Sequence, residues 1–315
     1  MNENIVSVAD DPLSAALMRM KLRAFLNVAL DAGGSWAIDF PGLEGFTLNV
    51  VQQGVCWLSL PGHGEAVRLS AGDCFLLTGG RAFTLASAPS VKKREPVEQL
   101  FGQMQDGVLR CQGGGDFFAI GVLFRFEGHL PPLLFSRLPP VIHVARDLPQ
   151  AAVLRWNLEQ FNIELRGGVV GRSMILSQLA PIMLLHILRI YLSSAGKEAN
   201  WLVALANPRL AKVLQAMQTD FKRDWSLVGF ANLAGMSRSG LALAFKKMVG
   251  VAPMDYLAHW RMQVACELLQ AGEHSLSAIA GAVGYGSDSA FSMAFNKIVG
   301  CRPGAYRKRH AAPIA

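Results

Sequence analysis

The chain has 315 residues, 51% hydrophobic and 17% charged, and a net charge of +7. Its length exceeds the usual size of one core and predicts two domains. Five cysteines without a CxxC pair argue against a disulfide framework, and no charged-then-apolar leader begins the chain, so a reducing cytoplasm is expected.

A helical start is expected from Pro12 to Asp31. From Trp36 to Phe126 the sequence reads as strands: Phe46–Val51, Val55–Leu60, Glu65–Leu69, Cys74–Thr78, Ala82–Ala86 and Phe117–Phe126 are rich in β-branched and aromatic residues. PGHG, SAGD and TGGR between them are turn chemistry. Short, evenly spaced strands predict a small antiparallel barrel or sandwich. The order Gly54-Val55-Cys56-Trp57-Leu58, then Arg68 to Asp73, then Leu76-Leu77 resembles a cupin-type barrel over about Asp11 to Val144. Many such barrels hold a metal through an HxH pair and further ligands, which would make this an enzyme. These strands hold no HxH: His63 falls in a glycine turn, His129 and His143 lie outside the expected strands, and Asn49 stands where several relatives have histidine. Neither metal nor cofactor is expected. A small-molecule effector pocket lined by Trp57, Phe75, Phe83 and Phe124 is the alternative use, and Cys56 and Cys74 raise a redox-responsive one.

Two helical stretches follow, Leu148 to Leu165 and Ser173 to Leu192, separated by Gly167 and Gly168. On the second, Leu176, Leu179, Met183, Ile187 and Ile190 form an apolar stripe that either packs on the barrel or pairs with a second subunit. The apolar run Leu176 to Leu192 is interrupted by Gln178, Pro181, His186 and Arg189 and is expected to fall short of a membrane span. Lys197 to Asn207 reads as a linker.

The remainder carries a repeat. SRSGLALAFKKMVGVAP (Ser237 to Pro253) returns fifty residues later as SDSAFSMAFNKIVGCRP (Ser287 to Pro303), and Tyr256/Tyr306 extends the register. Upstream the offset is forty-nine, pairing Leu227/Leu276 and Gly235/Gly284, so one extra residue, near Gly286, sits in the second turn. Each copy parses as a capped helix, a glycine turn and a second capped helix, the helix-turn-helix plan. A helical hairpin built only for packing has the same periodicity; charge separates the two readings. Residues 1–206 hold 17 basic and 17 acidic side chains, whereas residues 207–315 hold 13 basic against 6 acidic. A basic tandem of this kind matches a duplex backbone.

The repeat, the joining stretch Trp260 to Leu269 and the run Val283 to Arg307 resemble the AraC/XylS type of bacterial transcription regulator, one subgroup of which carries an amino-terminal cupin-type barrel. The resemblance implies an α+β protein: a cupin-like β-barrel regulatory domain (residues 1–146), a helical connector able to support a homodimer (147–206), and an all-α domain with two helix-turn-helix units (207–315). It implies double-stranded promoter DNA and RNA polymerase as partners, activation by a small-molecule effector, and no membrane. The DNA-binding residues are expected to be Ser237, Arg238, Ser239, Ala242, Leu243, Lys246 and Lys247 in copy one and Ser287, Asp288, Ser289, Ala290, Ser292, Met293, Lys297 and Arg302 in copy two. Leu243 and Met293 depart from the family, which often places arginine or another polar reader there; they face either the groove or the core. Gly229 stands where relatives usually have the glutamate of a capping box. The readings from other classes are a metal-dependent cupin enzyme with a DNA-binding tail, and a non-specific architectural DNA binder.

Overall fold

The computed structural model describes residues 11–105, 107–194 and 199–310. Helix α1 (Pro12–Arg19) is capped by Asp11, whose Oδ1 accepts from the Ser14 N–H at 2.9 Å. It ends where Lys21 takes a φ of 43°, and the chain continues as strand β1 (Arg23–Ala32). The helix expected as far as Asp31 therefore stops twelve residues early. Leucine and alanine in this run suit a helix, but β1 pairs with strands on both sides, and that pairing overrides local preference.

Strands β2 (Ala37–Phe40), β3 (Phe46–Gln53), β4 (Val55–Leu60), β5 (His63–Ser70), β6 (Cys74–Leu77), β7 (Phe83–Ala86), β8 (Glu95–Pro96), β9 (Met104–Gln105), β10 (Val108–Cys111) and β11 (Phe117–Arg125) follow, then helix α2 (Leu130–Phe135) and β12 (Val141–Val144). They form a seven-stranded sheet, β12-β6-β3-β11-β1-β10-β9, and a five-stranded sheet, β5-β4-β7-β2-β8. The expected barrel is thus realised as two sheets, with parallel pairs β1–β10 and β2–β8 among antiparallel neighbours. Leu30, Val51, Phe75 and Phe117 of the larger sheet and Ile38, Cys56, Leu69 and Phe83 of the smaller share one buried cluster. Two histidines differ from expectation. His143 lies in β12 opposite Phe75, and His63 opens β5 opposite Leu60.

Helices α3 (Ala152–Gly167) and α4 (Arg172–Ser194) pack on one another. By length and composition alone α4 is long and apolar enough to cross a membrane, which corrects the expectation that it falls short. Its Ala180, Met183, Leu184, Ile187, Leu188 and Ile190 are buried within the protein, whereas Met174, Ile175 and Ile182 are exposed.

Helices α5 (Trp201–Ala206), α6 (Pro208–Thr219), α7 (Leu227–Ala234), α8 (Arg238–Val249), α9 (Pro253–Ala271), α10 (Leu276–Ala282), α11 (Asp288–Val299) and α12 (Pro303–His310) complete the chain. The stretch expected to be a linker holds α5, in which Trp201, Leu202 and Ala204 are buried; residues 195–198 lie outside the described ones.

The chain divides into two compact units. One comprises Leu22–Arg125 and Leu138–Ser194; the other takes Ala195–Ala315 together with Met1–Lys21 and Phe126–Arg137. Within the second unit Gln263 of α9, 3% exposed, ties three segments: its Nε2 donates to Arg19 O at 3.2 Å and its Oε1 accepts from His129 N at 3.0 Å. Arg19 also pairs with Glu267 at 2.7 Å, and Arg137 Nη1 donates to Lys247 O at 2.6 Å near the end of α8. A buried amide with donor and acceptor both engaged has the cost of its desolvation offset by the hydrogen bonds it makes.

Candidate nucleic-acid interface

The two halves of the repeat have the same local physics. Ser226 and Ser275 cap α7 and α10, accepting from Gly229 N and Ala278 N, each at 3.1 Å. Ser237 and Ser287 cap α8 and α11, accepting from Gly240 N at 3.1 Å and Ala290 N at 3.2 Å. Between the helices, Gly235 and Gly284 take φ of 60° and 80°, which favours glycine. Met236 N then donates to Ala231 O and Tyr285 N to Ala280 O, both at 2.9 Å, closing equivalent six-to-one turns. The extra residue, Gly286, follows this shared turn and precedes Ser287.

Packing is duplicated as well. Leu241, Phe245 and Val249 are the buried side of α8, and Phe291 and Phe295 that of α11. Phe245 meets Tyr256 edge-on at 5.7 Å, and Phe295 meets Tyr306 edge-on at 5.6 Å. Each tyrosine hydroxyl accepts from a glutamine: Gln218 Nε2 on Tyr256 at 2.9 Å, and Gln270 Nε2 on Tyr306 at 3.0 Å. The repeated unit is therefore larger than the sequence suggested. It starts with the helix before each helix-turn-helix, α6 in one copy and α9 in the other.

The sides opposite these cores are open. Arg238, Ser239, Leu243, Lys246 and Lys247 of α8 are exposed, as are Ser237 and, in the second copy, Ser287, Asp288, Ser289, Ala290, Met293, Lys297 and Arg302; Ala242 and Ser292 are half-buried. Leu243 is 73% and Met293 76% exposed, so neither belongs to the core. Asn296, also exposed, occupies the place that Lys246 has in α8, and its polarity one turn beyond Met293 was the signal available to find it. Of the 13 basic residues after Ala206, only Arg261 and Arg307 are not exposed. Arg261 donates to Phe221 O and Arg223 O, each at 2.8 Å, and Arg307 to His274 O at 2.6 Å, so these two staple the fold. The joining helix α9 has 19 residues, about 28 Å at 1.5 Å per residue.

A family model described as a cupin matches residues 11–193, and one described as a helix-turn-helix domain matches residues 230–309. A putative AraC-like transcription regulator of Streptomyces lividans is 40% identical over 96% of this chain and 100% of its own length. The chain belongs to the AraC-like transcription regulators. A second such regulator, from Streptomyces antibioticus, is 39% identical over 96% of this chain and all of its own length. The RCS-specific HTH-type transcriptional activator RclR of Escherichia coli is 27% identical over 95% of this chain and 98% of its own.

In this AraC-like regulator the four aromatics expected to line one effector pocket are not brought together. Strand alternation separates them. Phe75 and Phe83 lie between the sheets with ring centroids 6.2 Å apart, whereas Trp57 alternates with the inward Cys56 and Leu58 and so faces out of the smaller sheet. On β11 the inward residues are Phe117 and Ala119, which places Phe124 on the outer face of the larger sheet. The cysteines part in the same way: Cys56 is in the shared core, while Cys74, next to the inward Phe75, points to the other face. Burial, reinforced by Asp73, pushes both thiols up to about 12, far from thiolate reactivity. Among the described residues no three His, Cys, Asp or Glu side chains group as a metal site.

Gly229 sits in the first turn of α7, where an added Cβ would meet Trp225 Cε3 at 3.4 Å and Ser226 Oγ at 3.6 Å, ordinary van der Waals contact. Gly229→Ala is expected to stabilise the protein by about 0.5–1 kcal/mol, read as a higher urea midpoint at unchanged slope. A lower midpoint would mean that α7 needs the glycine.

Proposed function

We propose that this chain activates transcription from promoter DNA in the cytoplasm, binding as a homodimer and inserting α8 and α11 of each subunit into successive major grooves. The reading rests on one observation above all: two recognition helices with matched cores and caps carry open outer faces in the part of the chain that holds its whole charge excess. The length of α9 suits a separation near the ~34 Å between grooves on one side of a duplex. Arg238, Lys246, Lys247, Lys297 and Arg302 meet phosphates, while Ser239, Ala242, Leu243, Ser289, Ala290, Ser292 and Met293 meet base edges. Ser237 and Ser287 hold the helix starts, and Asp288 stands at the first position of α11, where the helix dipole favours a carboxylate.

Activation, and contact with RNA polymerase, follow the family resemblance, and the E. coli relative is itself named a transcriptional activator. Control by a small molecule is assigned to the interior between the two sheets. Asn49, 8% exposed and opposite Phe75 in register, leaves its Nδ2 without a hydrogen-bond partner there. A buried unpaired donor in an apolar surrounding is suited to a polar group on a ligand. The dimer is assigned to α3, whose Val153, Trp156 and Ile163 are exposed along one side of the helix.

Measured against log[salt], log K for promoter duplex is expected to fall steeply, and Lys246→Ala to lower that slope by about 0.9 for each bound subunit. An unchanged slope removes Lys246 from the backbone contacts. Trp156→Glu is expected to convert a dimer to a monomer in sedimentation equilibrium; a parent chain that is already monomeric contradicts the dimer.

A further inference from the structure

Two helices built on the same core and the same caps present different chemistry. On α8 the exposed charges are Arg238, Lys246 and Lys247; on α11 the equivalent positions are Asp288, Asn296 and Lys297. The outer side of α8 therefore carries three positive charges, and that of α11 is neutral in sum. Counterion release favours the first helix as the source of affinity. The second has little to offer a phosphate beyond Lys297.

Ser289, Met293 and Asn296 follow one another at four and three residues, so they lie along one line of α11. Each of the three is exposed, and Met293 is 76% so. A helix lying in a major groove presents such a line to consecutive base edges. An amide side chain carries a donor and an acceptor together, the pattern complementary to N6 and N7 of adenine, and an unbranched thioether beside it suits the methyl group of thymine.

From this asymmetry we infer that Asn296 is a specificity-determining residue: it reads an adenine in the half-site bound by α11, next to a thymine touched by Met293, while α8 anchors the other half-site through phosphates. The inference rests on the reading of α8 and α11 as groove-binding helices. Lys246 and Asn296, fifty residues apart in the repeat, mark the division of labour: one adds salt-dependent affinity, the other base choice.

Selection of bound sequences from randomised duplex tests it with the full-length chain. The parent is expected to enrich two half-sites for each subunit, one with an invariant adenine. Asn296→Ala should relax the choice at that position by on the order of tenfold to a hundredfold, leaving the other half-site and the salt slope unaltered. Asn296→Lys should lose the same choice and steepen the slope by about 0.9 for each bound subunit. Overturning results are an Asn296→Ala chain, folded by circular dichroism, that selects the parent's sequence, or one that binds every sequence more weakly without changing preference. If the parent itself enriches nothing while still binding duplex, the groove reading of both helices fails, and the assignment of Asn296 falls with it.

Discussion

A phenylalanine pressed edge-on against a tyrosine, whose hydroxyl is held by a glutamine, sets the position of each recognition helix. Phe245, Tyr256 and Gln218 make this lock in the first copy, and Phe295, Tyr306 and Gln270 in the second. Full burial of one phenylalanine is worth about 1.5–3 kcal/mol, and an edge-on ring pair adds roughly 0.5–1.5. The hydrogen bond contributes less to stability than to orientation, because it fixes the one polar atom of a ring that is otherwise apolar. Since the glutamine comes from the helix preceding each helix-turn-helix, α9 serves twice. Its amino end supplies Tyr256 to the first lock and its carboxy end Gln270 to the second.

Because the lock lies wholly on the inner side, the outer side of each helix can diverge without disturbing the scaffold. Exposed substitutions usually change stability little. Leu243 beside Met293, and Lys246 beside Asn296, are such divergences on a shared frame. Duplication gives geometry, and the outer residues give the second copy a chemistry of its own. The joining helix is also held from its far side, where Gln263 and Glu267 meet Arg19 and the start of α2.

The helix-turn-helix pair was legible because its physics is local: capping serines, left-handed glycines and a 3.6-residue period all lie within one short window. The locks were not. Gln218 lies 38 residues before its tyrosine and Gln270 36 before its own, and no periodicity links an amide to a distant hydroxyl. Six strands were readable from their β-branched and aromatic runs, but β1 was hidden by a helix-favouring composition that only its two neighbours overrule. Trp57 is different, since the alternation of Cys56 and Leu58 around it already placed it on the outer face. That α1 and α2 belong with the carboxy-terminal helices could not be read at all, because it depends on contacts such as Arg19 with Glu267, 248 residues apart.

The central claim is that one subunit reads two consecutive grooves through two like scaffolds. Hydroxyl-radical footprinting, with the full-length Trp156→Glu monomer as the parent chain so that one subunit sits on each selected site, tests it most directly. Two protected patches on the same face of the duplex, about one helical turn apart, are the expected result. Phe295→Ala, which unseats α11 alone, should erase one patch and leave the other. A single patch in the parent, or loss of both patches on that one substitution with the fold intact, would contradict the account.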